Sequence, residues 1–340
     1  MPQTSAMTRR AFAASAAALA AATPALAKPR PIVIAHRGAS GERPEHTPMA
    51  YRLAIEQGCD FIEPDLVLTK DGVLVVRHEN EIGGTTDVAA RPEFAARRTA
   101  KVIDGERLDG WFAEDFTLAE LKTLRTRERL PELRGVKYDG REAIPTFQEV
   151  VDLAKAESRR VKRTIGLYPE MKHPAFLASQ GLPIEARLAD ALKANGLDSS
   201  TAPVFVQCFE PEPLKTFAKL SRARRVQLVG GDAPGMVSAE GLKAIAAYAD
   251  GVGPDWSLVL PTLDGALAPP TLLVEQAHAL GLAIHPWTVR AENRYLPARL
   301  RRGTSPAELG DAEALCRALY AAGVDGLFSD FPAIAVAART

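Results

Sequence analysis

The sequence predicts an α/β fold, a (β/α)8 barrel with a long segment inserted after the second strand. Three observations lead there. Short β-rich runs alternate with amphipathic helical stretches from Lys28 to the end of the chain, a rhythm that calls for a parallel sheet. The strand–helix steps come to eight, which suits closure into a barrel. No Gly-x-Gly-x-x-Gly turn follows the first strand, so a doubly wound dinucleotide-type sheet, the runner-up, lacks its fingerprint.

Pro31–Ala35 is a buried apolar strand that delivers His36-Arg37-Gly38 at its C-terminal end. A helix follows over about Thr47–Gln57, stopped by Gly58. Phe61–Leu68 is the second strand. The turn Lys70-Asp71-Gly72 sends it into a short added strand, Val73–Arg77, which ends at His78. Residues 79–144 or so form the insertion. It is polar and Gly-rich, with two aromatic segments, Gly110-Trp111-Phe112 and Asp115-Phe116, and short helices, one over about Leu118–Leu124. Connections this long in a compact domain are usually lids or binding loops. The rhythm resumes with a helix over about Thr146–Ala156. Strands follow at Thr164–Glu170, Val204–Phe209, Arg225–Val229, Gly251–Val259, Ala283–Val289 and Gly326–Phe331. Helices near Ile184–Ala194, Glu212–Leu220, Ala239–Tyr248, Pro270–Leu280 and Asp311–Ala322 separate them.

The chain has 340 residues, 42 basic and 42 acidic, with no long run of either sign. That excludes a general basic surface for nucleic acid and a polybasic membrane patch. At the N-terminus, Thr8-Arg9-Arg10-Ala11-Phe12 precedes an apolar stretch, Ala13–Ala22, and then Ala25-Leu26-Ala27. This is the pattern of a cleaved export signal over residues 1–27, of twin-arginine type. The apolar stretch is too short to span a bilayer, which takes ~20 residues. The expectation is a periplasmic or secreted protein with no stable membrane anchor, residues 28–340 forming one domain. Cleavage after Ala27 removes two of the 42 basic residues and no acid, leaving 40 against 42, a net charge of −2. The three cysteines, Cys59, Cys208 and Cys316, show no Cys-x-x-Cys spacing and read as buried free thiols.

Active sites of such barrels lie at the C-terminal ends of the strands. His36 and Arg37, Glu63 and Asp65, His78, Glu170 and Lys172, Gln207, Trp287 and Asp330 all fall there. Glu63 and Asp65, two apart on a strand, point to one face. With Glu170 they make a mutually repelling acidic group that a hard divalent cation, Ca²⁺ or Mg²⁺, would neutralise. Arg37 can clamp a phosphate bidentately, and Gly38 allows close approach to the backbone. His36 and His78, beside such a cation, suit acid–base work on a phosphate ester. His46, His173, His278 and His285 have weaker claims, and His278 reads as structural.

These residues and their order resemble the glycerophosphodiester phosphodiesterase family. The likeness is carried by His36-Arg37-Gly38, Pro44-Glu45-His46-Thr47, Glu63-Pro64-Asp65, Thr69-Lys70-Asp71-Gly72, His78, Glu170-Met171-Lys172, Val206-Gln207-Cys208-Phe209-Glu210, Trp287-Thr288-Val289 and Gly326-Leu327-Phe328-Ser329-Asp330. It implies a TIM barrel with the insertion of the family's periplasmic branch. It also implies His36 and His78 as the acid–base pair, one divalent cation on Glu63, Asp65 and Glu170, and phosphate contacts from Arg37 and Lys172. Gln207 and Trp287 fall among the substrate-binding positions. The implied reaction is hydrolysis of a small-molecule glycerophosphodiester to sn-glycerol 3-phosphate and an alcohol. Two positions depart from the family pattern. Glu79 stands where Asp often follows the second histidine, and His46 stands where Asn is usual. Both are expected to bear on substrate fit.

Overall fold

The computed structural model describes residues 1, 2 and 30–339. The export-signal reading of residues 1–27 therefore lies, but for its first two residues, outside them. The strands are β1 (Ile32–His36), β2 (Phe61–Glu63), β3 (Asp65–Leu68), β4 (Leu74–Val76), β5 (Thr99–Ile103), β6 (Glu106–Gly110), β7 (Gly166–Leu167), β8 (Glu170–Met171), β9 (Phe205–Cys208), β10 (Arg224–Val229), β11 (Gly251–Pro254), β12 (Thr262–Leu263), β13 (Ala266–Leu267), β14 (Ala283–Ile284) and β15 (Gly326–Ser329).

Two of the expected strands are each divided next to a proline, which has no N–H to donate to a ladder. Pro64 separates β2 from β3, and Pro169 lies between β7 and β8. The breaks sit side by side, because β2 pairs with β7 and β3 with β8. One arc of parallel strands runs β15-β1-β2-β7. The other runs β14-β11-β10-β9-β8-β3, with β4 added antiparallel at its end. The arcs are halves of one ring. The divided strands join them on one side, helped by the parallel bridge Leu167–Val204. On the other side the chain after β14 runs along β15. Asp325 N–H donates to the Ile284 carbonyl (2.9 Å), Phe328 N–H to Pro286 (2.9 Å), Val289 N–H to Phe328 (2.9 Å) and Asp330 N–H to Val289 (3.1 Å). Counting each divided strand once, eight parallel strands close the predicted TIM barrel.

The barrel interior is filled by Ile34, Phe61, Tyr168, Phe205, Val226 and Phe328. His285 enters it too, its Nδ1 2.8 Å from the Tyr168 hydroxyl, so these buried polar atoms satisfy each other. A larger apolar layer lies between sheet and helices. The long helix Phe147–Val161 starts at a capping box, Thr146 with Glu149. The helix Pro48–Glu56 starts at Thr47, whose side chain accepts from the Ala50 N–H. Cys59, Cys208 and Cys316 are buried free thiols.

Residues 79–144 have a core of their own. Ile82, Val88, Phe94, Ala113, Phe116, Leu121, Leu124 and Ile144 pack with Val67 of β3 and Val75 of β4. The expected short helix is there as Leu118–Leu121, with its own capping box. The segment also holds a hairpin, β5–β6, that was not foreseen, and β12–β13 is a second such hairpin. Each turns on an Asp-Gly pair with positive φ, Asp104-Gly105 and Asp264-Gly265, the two-residue signal for a type I′ turn. Two expected strands run shorter than predicted. Gly251–Val259 ends at Pro254 and passes into a 3-10 turn, Trp256–Leu258. Ala283–Val289 is regular only to Ile284, with Pro286 interrupting the ladder.

Candidate active site

The strands bring eight of the nine predicted site residues to one cavity of about 430 Å³: His36, Arg37, Glu63, His78, Glu170, Lys172, Gln207 and Trp287. Asp65 lies just behind them, almost fully buried.

Each histidine is held by a carboxylate. His36 Nδ1 stands 2.5 Å from Asp330 Oδ1, and Asp330 Oδ2 takes Arg134 (2.5 Å) and Arg290 (3.1 Å). Burial would raise the Asp330 pKa, but Arg134, Arg290 and His36 outweigh it and hold the carboxyl well below its usual range. An ionised Asp330 only accepts, so His36 Nδ1 carries the proton and Nε2 is left as the acceptor. His78 Nδ1 bonds Glu79 in the same way, and Arg129 grips both oxygens of Glu79. Burial, then Arg37, push His36 down to about 4. Burial, Arg37 and Lys172 push His78 down to about 3. Both rings are neutral near pH 7, as a base must be.

Arg37 sits in a left-handed turn after β1 (φ +59°). Its N–H donates to Glu63 Oε2 (2.7 Å), and its guanidinium reaches Glu45 (2.8 Å) and Asp65 (3.2 Å). Gly38 has φ +87°, and a Cβ there would lie 2.7 Å from the Ala50 backbone. Its missing side chain therefore makes room for the helix Pro48–Glu56. The expectation that it admits a ligand to the backbone is corrected.

Oxygens of Glu63, Asp65 and Glu170 all lie within 4.8 Å of one another. Burial, and then Asp65, push Glu63 far above its ordinary range. Burial is also the main force that raises Glu170 to about 7. Asp65 goes the other way, because Arg37 and His46 outweigh its burial. Asp65 Oδ1 is buried with no hydrogen-bond partner. A crowded, buried oxygen set with an unpartnered atom fits a hard cation, which takes carboxylate oxygens.

Lys172 donates to Glu170 (2.8 Å) and lies 3.1 Å from His78 Nε2. Gln207 donates to Glu63 (3.1 Å), while its own buried Oε1 is unpartnered. Trp287 has its indole N–H on the Gly253 carbonyl (2.7 Å), so it offers the cavity a ring and no donor. His46 does more than border the site. Its Nε2 stands 2.9 Å from Asp65 and its Nδ1 3.0 Å from the Tyr51 hydroxyl. His285 belongs to the barrel interior. His278, 2.8 Å from Asp325, makes a structural pair.

Several residues here had no assigned role from sequence: Asp330, Glu45, Arg290, and Arg129 and Arg134 from the insertion; Glu79, read as bearing on substrate fit, sits on His78 Nδ1. Asp330 was visible as a polar strand end. The arginines carried no signal, because charged residues in a polar loop are usually solvated.

Comparison with known proteins identifies the family. The model of the glycerophosphoryl diester phosphodiesterase family matches residues 36–334. A glycerophosphodiester phosphodiesterase of Arabidopsis thaliana is 36% identical over 324 residues, covering 89% of this chain and 84% of that protein. One from Haemophilus influenzae is 29% identical, covering 88% of this chain and 87% of its own length. Among solved structures, an Oleispira antarctica phosphodiesterase in complex with the product sn-glycerol-3-phosphate shares the fold. Its TM-score is 0.59 at 23% identity, over 91% of this chain and 96% of that one.

Proposed function

The chain belongs to the glycerophosphoryl diester phosphodiesterase family, and on that premise we propose a cation-dependent hydrolysis of glycerophosphodiesters to sn-glycerol 3-phosphate and an alcohol, with His36 and His78 as the acid–base pair. The chain is an enzyme, a phosphodiesterase; the cation, the histidine roles and the substrate details are the proposal. The observation that carries it is the pairing of both histidines, on the wall of one cavity, to carboxylates that arginines hold in turn.

Glu63, Asp65 and Glu170 would hold a Ca²⁺ or Mg²⁺ ion, which would supply positive charge for the phosphoryl oxygens. Arg37, fixed by Glu45 and Asp65, presents its guanidinium to the same phosphate. One histidine takes the proton from the attacking hydroxyl through Nε2, and the other, once its own Nε2 has been loaded with a proton, gives that proton to the departing alkoxide; at His78 the Lys172 ammonium is the group placed to load it. Lys172, 3.1 Å from His78 Nε2, keeps a proton at that end of the cavity and a second cation near the phosphate. Gln207 positions Glu63, and the Trp287 ring borders the bound diester.

The test is turnover of glycerophosphocholine by His36→Ala and His78→Ala, each checked for an intact fold. Each should lose at least ~100-fold in kcat, and near-wild-type turnover in either would sink the assignment. A phospholipase-type reading would need an exposed apolar rim, and the insertion's aromatics do not provide one. Phe112 and Phe116 are fully buried, and Trp111 donates to the Phe94 carbonyl.

Export to the periplasm or medium, with cleavage near Ala27, is part of the same proposal. It is supported by the Arg9-Arg10 pattern. Among the described residues, no helix is long and apolar enough to cross a membrane. N-terminal sequencing of the protein recovered outside the cytoplasm should begin near Lys28; a mature chain starting at Met1 would refute it.

A further inference from the structure

The stretch Glu128–Arg134 of the insertion reaches over the barrel rim and sends two arginines into the site. Arg134, with its side chain 7% exposed, donates to Asp330 Oδ2, to Glu292 (2.6 Å) and to the Ser40 carbonyl (2.8 Å). Arg129 holds both oxygens of Glu79 and both oxygens of Glu45, the latter at 2.6 and 2.8 Å. The carboxylates they grip are not scattered rim acids. Asp330 is the partner of His36, Glu79 is the partner of His78, and Glu45 is the partner of Arg37.

We propose that Arg129 and Arg134 are positioning residues, so that the insertion forms part of the catalytic machinery by orienting both histidines and the phosphate-binding arginine through their carboxylates. The geometry explains how. Asp330 gives Oδ1 to His36 and Oδ2 to arginine, so the carboxylate cannot swing without breaking a charged hydrogen bond, and the imidazole plane is fixed with it. Glu79 is pinned at both oxygens likewise. A mere tie between insertion and barrel would not need the buried charges of Arg134, Asp330 and Glu45, since burying an ion pair costs desolvation that a pair on the surface avoids. Arg290 also reaches Asp330, so loss of Arg134 weakens the first clamp without abolishing it. Arg129 is the only arginine on Glu79 among the described residues, and it also serves Arg37 through Glu45.

The proposal rests on the acid–base reading of His36 and His78, and the experiment separates the two. The kcat and KM for glycerophosphocholine are measured for Arg134→Gln, Arg134→Lys, Arg129→Gln and Arg129→Lys. Arg134→Gln is also made in an Asp330→Asn background, and His36→Ala and His78→Ala are run alongside. Removing an orienting partner typically costs about 10- to 100-fold. Arg134→Gln should lose kcat by that amount with KM unchanged. Arg129→Gln should lose kcat and also raise KM, because Arg37 is loosened too. Each Lys variant should recover part of the loss. In the Asp330→Asn background, Arg134→Gln should add little. Wild-type kcat in folded Arg134→Gln and Arg129→Gln, with both histidine variants inactive, overturns the clamp and leaves the histidine reading standing. So does an Arg134→Gln loss that is undiminished in the Asp330→Asn background. Active histidine variants overturn both. If a Gln variant fails to fold, the Lys variant decides: wild-type kcat there counts against the clamp, and a kcat loss with unchanged thermal stability supports it. Arg107→Gln, on the exposed hairpin, is the control expected to match wild type.

Discussion

His36 Nδ1 lies 2.5 Å from Asp330 Oδ1 although the two residues stand 294 positions apart. β1 and β15 are parallel neighbours in register, Ala35 beside Ser329, so each strand delivers its next residue to the same spot. The pair fixes which nitrogen of His36 carries the proton.

Asp330→Asn should therefore disable His36 while leaving the ring in place. An amide can offer its NH₂ to Nδ1 and select the wrong tautomer. In the serine-protease triad the corresponding change costs ~10⁴-fold, and a loss of at least about tenfold in kcat is expected here. Steady-state kinetics on folded protein checks it, and unchanged kcat would remove Asp330 from the mechanism.

Treatment with chelator should abolish turnover, and Ca²⁺ or Mg²⁺ should restore it. A cation that binds only the folded state also raises the melting temperature, by an increment that grows with its concentration. Glu63→Gln should shrink that increment. A melting temperature indifferent to both cations would argue against a site at Glu63, Asp65 and Glu170.

The Glu170 carboxyl, pushed up to about 7 mainly by burial, lies above its ordinary 4.5. The metal-free folded state then holds a proton there that the unfolded chain has released. The stability cost of ionising it is absent below about 4.5 and complete above about 7. In chelator, Glu170→Gln should thus gain stability relative to the parent as pH rises through that window. Paired denaturant unfolding at several pH values measures it; a gap that is constant or shrinks with pH contradicts the expectation.

Phe116 is fully buried in the insertion's own core and meets Phe94 edge-on at 5.1 Å. Phe116→Ala should cost about 3–5 kcal/mol, as large-to-small changes of this kind do. Chemical denaturation followed by fluorescence would show it. A loss below about 1 kcal/mol would mean that the cavity collapses or that the insertion unfolds independently.

The barrel was legible because its strands are apolar runs ending in polar residues, as with Ile32–His36. The errors came at prolines. Pro286 and Pro254 sit inside apolar runs that periodicity alone extends to Val289 and Val259. The β5–β6 hairpin was legible in principle from Asp104-Gly105, but its strands, Thr99–Ile103 and Glu106–Gly110, are largely exposed and lack a clean alternation of apolar residues. In the site, most charged and polar groups that face the cavity were readable, since they lie at or near strand ends; Arg290 was not. Behind them only Asp65 and Asp330, themselves strand residues or strand ends, were readable. Glu45 and His46 belong to a recognisable motif, yet what they touch depends on how the turn after β1 folds back. Arg129 and Arg134 meet their partners only through tertiary packing.

The parallel pairing of β1 with β15 has a consequence for how activity is gained and lost. The first strand holds the imidazole and the last holds its carboxylate, so on the acid–base reading a partial barrel lacks one half of the pair. A chain clipped before β15 is therefore expected to be impaired in turnover however much of it has folded. On that reading turnover would rise only at the final closure of the ring, and removal of residues 326–340 would be enough to impair it.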